Sequence, residues 1–272
     1  MRKKINGLID FRVCVCQIIC MMHSILLAGI SIKGELTYLH EASIGSSYQG
    51  TILIQNDGDE QKEVLIYQKD YMFYSDGRVL YDDPGSIPRS NADWIHFSPK
   101  DTIVSPFGNI MIHYRVDVPQ VDTLRGSYWS LLMIEPGETA EKESIDKTQG
   151  VKTILRYGVQ LITQIGYESS CKIHFMNPVF ERIETKNIFR IDLENIGVNM
   201  VQSEVWLELY DETGNRVQLF EKEKSRVFPG TSIRATYDLS NIVNGLYRAL
   251  VIADCGGDNI FGAQYQLKID DN

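Results

Sequence analysis

One stretch decides the fold of this 272-residue chain: Ser90-Asn91-Ala92-Asp93-Trp94-Ile95-His96-Phe97-Ser98-Pro99. Side chains of successive residues in an extended chain point to opposite faces, so Ile95 and Phe97 share one face and Trp94 and His96 the other. Pro99 cannot donate a hydrogen bond to a strand ladder, and the strand must end at Ser98. The stretch therefore predicts a short strand in a β-sandwich whose core Trp94 helps to fill.

Strand patterns continue on both sides of this stretch. Between Ile188 and Glu194 apolar residues alternate strictly with charged ones, which is typical of a half-buried antiparallel strand. No window holds apolar residues at helical spacing over three turns, so the predicted class is all-β. In the first half of the chain the predicted strands cover residues 35–40, 49–56 and 63–74, then the stretch that contains Trp94 and ends at Ser98, and then residues 109–116, 126–134 and 151–165.

The two halves of the chain repeat the same signals. Asn56-Asp57-Gly58 and Asn195-Ile196-Gly197 each follow the second strand of their half. Tyr128 and Tyr247 each follow a glycine by two residues, at the place where a tyrosine corner lies in Greek-key sandwiches. We therefore predict two tandem immunoglobulin-like sandwiches, covering residues 33–165 and 171–270 and joined by a short linker.

Residues 1–31 differ in composition from the rest of the chain. A basic start is followed by a nearly uncharged apolar run and then by small residues, including Ala28 and Gly29. This order predicts a secretory signal peptide. Because the apolar run is long enough to cross a bilayer once, an uncleaved N-terminal anchor is the alternative.

Two cysteines, Cys171 and Cys255, lie outside this segment. Cysteines of an exported protein often pair, so a disulfide between them is one prediction. The alternative is two separate buried thiols that behave as small apolar groups.

Charge and motifs exclude several functions. A net charge of −9 disfavours a nucleic-acid partner, because binding phosphates requires a basic surface. We expect contact with a membrane only through an uncleaved N-terminal segment. The five histidines occur singly, away from any spacing typical of metal ligands, and no nucleophile or phosphate-binding motif is present. The expectation is a protein without catalytic residues, bound metal or cofactor.

Strand 152–162 is the predicted partner-binding element. It has apolar residues on both faces, with basic residues among them on one face, and it follows a polar, charged loop over residues 135–150, which indicates an edge strand that pairs with another chain. The alternative is that Ile154 and Ile162 pack on the second sandwich. The candidate partner-binding residues are Lys152, Ile154, Arg156, Gln160 and Ile162.

Residues 33–165 resemble the N-terminal domain of periplasmic pilus-assembly chaperones and the related first domain of WxL-interacting surface proteins. The likeness rests on the order of 50–56, Trp94-Ile95 with Ser98-Pro99, Val118-Pro119, and 126–129. The resemblance implies a non-enzymatic, exported protein that lends an edge strand to a subunit and holds its terminal carboxylate with a basic pair. Lys152 or Arg156 would supply one member, whereas the predicted first strand lacks the arginine expected of the other and has only Lys33 nearby.

The predicted function is that of a bacterial cell-envelope protein, periplasmic or at the cell surface. It would act as a chaperone-like or surface-assembly factor whose partner is another envelope protein. The alternative is a peptidoglycan- or glycan-binding adhesion module that uses exposed aromatic side chains. The aromatic residues that could serve this alternative are Tyr67, Tyr71, Phe73, Tyr74, Tyr81, Trp94, Tyr128, Trp129 and Trp206.

Overall fold

The computed structural model describes residues 29–137, 155–166, 171–221 and 223–270. The predicted signal lies outside these ranges except for its last three residues, and Lys152 and Ile154 also lie outside them. Within the described ranges the chain is all-β, as the alternating patterns predict, and its single helical element is one 3-10 turn. No helix in this part of the chain is long and apolar enough to cross a membrane.

The first half forms two facing sheets. One has the order β1-β3-β8-β6, and the other has the order β2-β10-β9-β4-β5, with β7 also paired to β4. The strands are β1 (Ile30–Lys33), β2 (Thr37–Ala42), β3 (Ser47–Asn56), β4 (Lys62–Phe73), β5 (Val79–Asp82), β6 (Ile95–Ser98), β7 (Asp101–Val104), β8 (Asn109–Asp117), β9 (Gly126–Pro136) and β10 (Tyr157–Ile165).

The second half forms another pair of sheets. Their orders are β11-β12-β16 and β14-β13-β17-β18, with β15 also paired to β13. The strands are β11 (Ile173–Ile183), β12 (Lys186–Asn195), β13 (Val201–Tyr210), β14 (Arg216–Leu219), β15 (Glu223–Val227), β16 (Ser232–Asp238), β17 (Gly245–Asp254) and β18 (Ile260–Ile269). The boundaries 33–165 and 171–270 stay a prediction for the extent of the two domains.

Each sandwich has its own apolar core. Ile52, Ile54 and Ile112 are fully buried in the first, and Ile191 and Leu207 in the second. Burying one such side chain contributes about 1.5 to 3 kcal/mol of transfer free energy. The alternation read from the sequence therefore places the correct faces inward.

The start of the first sandwich differs from the prediction. One strand was expected over 35–40, but two strands, β1 and β2, lie in opposite sheets. Gly34 separates them with φ of 123°, a conformation that side-chain-bearing residues rarely adopt. Ile30 and Ser31 fall within the predicted signal and belong to β1, where they pair with Asn56 and Gln55.

The stretch around Trp94 is only partly a strand. β6 ends at Ser98, as Pro99 requires, but Ala92–Trp94 forms the 3-10 turn. The Ser90 hydroxyl accepts a hydrogen bond from the Ala92 amide and so favours a turn over an extended chain. Trp94 is consequently half-buried at the edge of the core, against the Tyr128 ring at 4.8 Å, instead of at its centre.

The repeated Asn-x-Gly motifs have the same role in both sandwiches. The Asn56 amide donates to the Val104 carbonyl, and the Asn195 amide donates to the Val227 carbonyl. In each motif the glycine two residues later donates its backbone N–H to the asparagine side chain. Both asparagines are fully buried, so these bonds satisfy polar groups that would otherwise lie unpaired in the core.

The two tyrosines of the repeat differ in their contacts. The Tyr247 hydroxyl donates to the Val243 carbonyl at 2.7 Å, which is the tyrosine-corner arrangement. Tyr128 instead packs its ring between Trp94 and the Arg89 guanidinium, which lies 5.4 Å from the ring centre. The two tyrosines therefore occupy equivalent positions in the two sandwiches, but they do not make equivalent hydrogen bonds.

The two sandwiches contact each other through an aromatic cluster. Trp129 of β9 lies 4.7 Å from Phe228 of the second sandwich, and Tyr71 of β4 lies 5.7 Å from the same ring. The Ser127 amide donates to the Val198 carbonyl at 2.9 Å. These contacts fix the outer face of the β2-β10-β9-β4-β5 sheet against the second sandwich.

Cys171 and Cys255 are joined by a disulfide, with their Cα atoms 6.5 Å apart. Both residues pack against the core of the second sandwich. The bridge ties the chain just before β11 to the chain just after β17, and so links one sheet to the other.

Candidate functional site: a groove beside an open strand edge

Strand β10 is open along part of one side. β9 covers its other side from Tyr157 to Ile165, whereas β2 pairs with it only from Gln160 onward. The Gln160 amide donates to the Leu36 carbonyl at 2.8 Å. Backbone groups two residues apart point to the same side, so the N–H and C=O of Gly158 face the same way. No partner for them lies among the residues that the structure describes.

A groove of about 510 Å³ lies next to this open edge, on the outer face of the sheet. Its floor is apolar and aromatic, and its rim carries two cations. The lining residues are Tyr67, Lys69, Tyr71, Tyr81, Leu131, Met133, Arg156, Gly158 and Gln160.

Ion pairs hold the rim in place. Arg156 contacts Glu135 at 2.8 Å, and Tyr67 donates its hydroxyl to the same carboxylate at 2.7 Å. These hydrogen bonds, first from Tyr67 and then from Arg156, hold the pKa of Glu135 below its usual range. Lys69 pairs with Asp83 at 2.8 Å across the strand ends. Both basic side chains are therefore already neutralised by neighbouring acids.

Two polar side chains near the inner end of the groove, Tyr71 and Arg226, have no carboxylate partner in the described ranges. Tyr71 is only 6% exposed, burial raises its pKa, and its hydroxyl has no hydrogen-bond partner in the described ranges. Arg226 of β15 reaches this end from the second sandwich and donates to Thr37 at 3.0 Å and to Gln160 at 3.4 Å. None of the described carboxylates pairs with Arg226. An arginine without an acid can donate to a ligand, whereas the Tyr71 hydroxyl is buried away from solvent.

The structure separates the predicted partner-binding residues. Arg156 and Gln160 line the groove, so two members of the set lie together. Ile162 is fully buried among Trp129, Leu131 and Phe228, and it is not available to a partner. The alternative, in which this residue packs on the second sandwich, is the correct one for Ile162. The expectation that all of strand 152–162 is an open edge is wrong from Gln160 onward, because β2 covers it.

The aromatic residues do not form an exposed platform. Trp129 is 1% exposed, Trp94 and Trp206 are half-buried, and the Trp206 indole donates to Glu208. Of the three tyrosines that line the groove, Tyr81 is 57% exposed, whereas Tyr67 is half-buried and Tyr71 is buried. Stacking on a sugar requires an accessible ring face, and this arrangement gives the glycan-binding alternative no support. Within the described ranges no three His, Cys, Asp or Glu side chains lie close enough to hold a metal ion.

Strand β2, which covers half of the β10 edge, contains a partly buried histidine. His40 stacks on Tyr48 with ring centres 4.3 Å apart and shares a 3.2 Å hydrogen bond with the Tyr114 hydroxyl. Burial lowers the pKa of His40 from its ordinary 6.5. The unfolded chain therefore binds a proton at His40 more readily than the folded chain does, and stability should be lost as the pH falls below 6.5.

We expect H40Q to flatten this pH dependence. Urea midpoints measured between neutral and mildly acidic pH should fall less for H40Q than for the natural chain. H113Q is the matched control, because His113 is exposed on β8 of the facing sheet. Equal slopes for the natural chain and H40Q would contradict the prediction.

An all-β, two-sandwich architecture with a groove beside an open strand edge is the class that the fold and site define. No family model and no curated protein matches this chain. Three solved chaperones resemble it structurally. The class 5 fimbriae chaperone CfaA is 11% identical, with 89% of this chain and 100% of that chain covered and a TM-score of 0.46. The E. coli chaperone DraB is 12% identical, with coverages of 89% and 97% and a TM-score of 0.42.

The Pseudomonas aeruginosa CupB2 chaperone is 15% identical, with 88% of this chain and 100% of that chain covered and a TM-score of 0.39. These identities and scores are too low to carry a function from those proteins to this chain.

Proposed function

We propose that this chain is a non-enzymatic protein-binding protein that holds an extended segment of another polypeptide along the open edge of β10. The observation that carries the proposal is the backbone of Gly158, which has no hydrogen-bond partner among the described residues and borders an apolar groove. An added strand gains affinity from main-chain hydrogen bonds and specificity from pockets that take alternate side chains.

The groove supplies such a pocket. A strand paired with β10 would extend the sheet, and its side chains on the outer face would lie beside Arg156 and Gln160, where a long side chain can reach across Gly158 into the groove. Arg226 would donate to a carbonyl or carboxylate of the partner beside Gln160. The resemblance offered Lys152 or Arg156 as one of the basic residues that hold a carboxylate. Because Arg156 already pairs with Glu135, we propose that Arg226 takes part of this role.

We further propose that the chain is exported and acts in a bacterial cell envelope on another envelope protein, as a chaperone-like or assembly factor. The Cys171–Cys255 disulfide supports export, because such bridges persist in oxidising compartments.

Proline substitution at the open edge tests the binding mode. G158P removes an edge N–H while leaving the side of β10 that faces β9 unchanged. Peptides of eight to twelve residues selected by display on the natural chain should bind G158P at least about tenfold more weakly, which corresponds to about 1.4 kcal/mol. Fluorescence anisotropy with labelled peptides measures the change.

L39P is the matched control. The pairing of Gln160 with Leu36 turns the Leu39 N–H toward the outer edge of β2, one strand away in the same sheet. Binding to L39P should be unchanged. Loss of binding in L39P with full binding to G158P would place the partner on β2 and overturn the proposal.

A further inference from the structure

The far edge of the same sheet carries an apolar strand that nothing covers in the described ranges. All four residues of β5 are exposed, with Val79 at 47%, Leu80 at 39% and Tyr81 at 57%. β5 pairs with β4 on one side only. Edge strands are usually protected by lysine, proline or a bulge, because an unprotected edge pairs with other chains. β5 contains no lysine, proline or bulge, and only its short length and Asp82 oppose such pairing.

The hairpin geometry shows which backbone groups point outward. The Tyr74 amide donates to the Arg78 carbonyl at 2.9 Å, so the backbone of Arg78 faces β4. By alternation Leu80 and Asp82 also face β4, and Val79 and Tyr81 present their N–H and C=O groups to the open edge. The same alternation places the side chains of Arg78, Leu80 and Asp82 on one face of the strand.

This edge is complementary to itself. In an antiparallel pair, the backbone N–H and C=O groups of two directly opposed residues either both point toward the partner strand or both point away from it. A pairing centred on Leu80 satisfies this rule: Leu80 opposes Leu80, Val79 opposes Tyr81, and Arg78 opposes Asp82 of the second copy. Asp82 has no acid–base partner within the described ranges, and the Arg78 side chain is 66% exposed although it also contacts Asp76. The alternative centred on Tyr81 opposes Leu80 to Asp82 and loses the charge match.

We propose that β5 is a homodimer interface in which two copies of this chain join their sheets edge to edge. Four main-chain hydrogen bonds from Val79 and Tyr81, three apolar contacts and two Arg78–Asp82 ion pairs form across a two-fold axis at Leu80. The axis is perpendicular to the joined sheet, so the two grooves open on the same face, and each dimer would offer two binding grooves side by side.

A charge swap tests the interface. Sedimentation velocity of the full chain over a range of concentrations should show a monomer–dimer equilibrium. R78E and D82R each place like charges opposite each other twice, and each should raise the dimer dissociation constant by at least about tenfold. R78E/D82R should restore it. Residues 78 and 82 of one copy are about 13 Å apart along the strand and do not contact each other, so restoration can arise only between copies.

Cysteine cross-linking gives a second measurement that does not depend on charge. Leu80 opposes itself at a Cα separation of about 4.5 Å, which a disulfide can bridge, so L80C should form a covalent dimer under mild oxidation. V79C is the control, since Val79 opposes Tyr81 and not itself. A natural chain that stays monomeric at every soluble concentration, or V79C cross-linking as readily as L80C, would overturn the proposal. Peptide binding in the groove should persist in R78E, which separates this test from that of the proposed function.

Discussion

Replacing Trp129 with alanine is expected to lower the free energy of unfolding by about 3 to 5 kcal/mol, the range typical of a large buried aromatic side chain. Trp129 is 1% exposed, and its indole N–H donates to the Tyr71 carbonyl at 3.0 Å. Its ring packs on Phe228, so the substitution removes the centre of the contact between the sandwiches. Urea denaturation followed by far-ultraviolet circular dichroism measures the change.

W206A is the matched control for this substitution. Trp206 is half-buried on β13 of the second sandwich and not among the residues of the interdomain cluster. We expect W206A to lose at most about 1.5 kcal/mol, because less apolar surface is removed from a packed environment. W129A should also weaken peptide binding, since Arg226 belongs to the second sandwich and would no longer be held against Gln160 of the groove. Equal losses in the two variants would show that Trp129 has no special role.

Removing the Cys171–Cys255 disulfide is the second change with a large expected effect. The bridge closes a segment with a sequence separation of 84, and a loop of this length contributes about 4.5 kcal/mol in the chain-entropy model, with typical measured values of about 2 to 4 kcal/mol. The double variant C171S/C255S should therefore unfold at a markedly lower urea concentration than the natural chain.

A reductant provides the control. Adding dithiothreitol should destabilise the natural chain to the level of C171S/C255S and leave the variant unchanged. If the natural chain unfolds at the same urea concentration with and without reductant, the two cysteines act only as buried thiols, which is the alternative left open by the sequence.

The sequence predicts local features of this protein well, because they depend on neighbours along the chain. Alternation between apolar and charged residues identifies the strands and their buried faces, as Ile52 and Ile54 show. The Asn56 and Asn195 motifs mark equivalent turns, because the asparagine side chain accepts a hydrogen bond from the backbone N–H of the glycine two residues later. The Trp94 stretch was harder, since the Ser90 hydroxyl and the turn it favours compete with strand formation.

The candidate site depends on features that only the tertiary structure decides. Gly34 sends β2 to the opposite sheet, where it covers β10 from Gln160 and leaves Gly158 open. No sequence pattern near residue 152 or 162 indicates which part of β10 is covered, because the pairing of β10 with the distant β2 depends on the tertiary structure.

Arg226 is the clearest example of a residue that sequence reasoning missed. It lies in an ordinary polar strand and reaches the groove only because Trp129 and Phe228 hold the two sandwiches together. The sequence by itself determined that this chain is all-β and which side chains face inward, since a period of two is a property of each strand alone. Packing between segments far apart in the chain decided which strand edges remain open. The same packing placed Arg226 beside the open edge of β10.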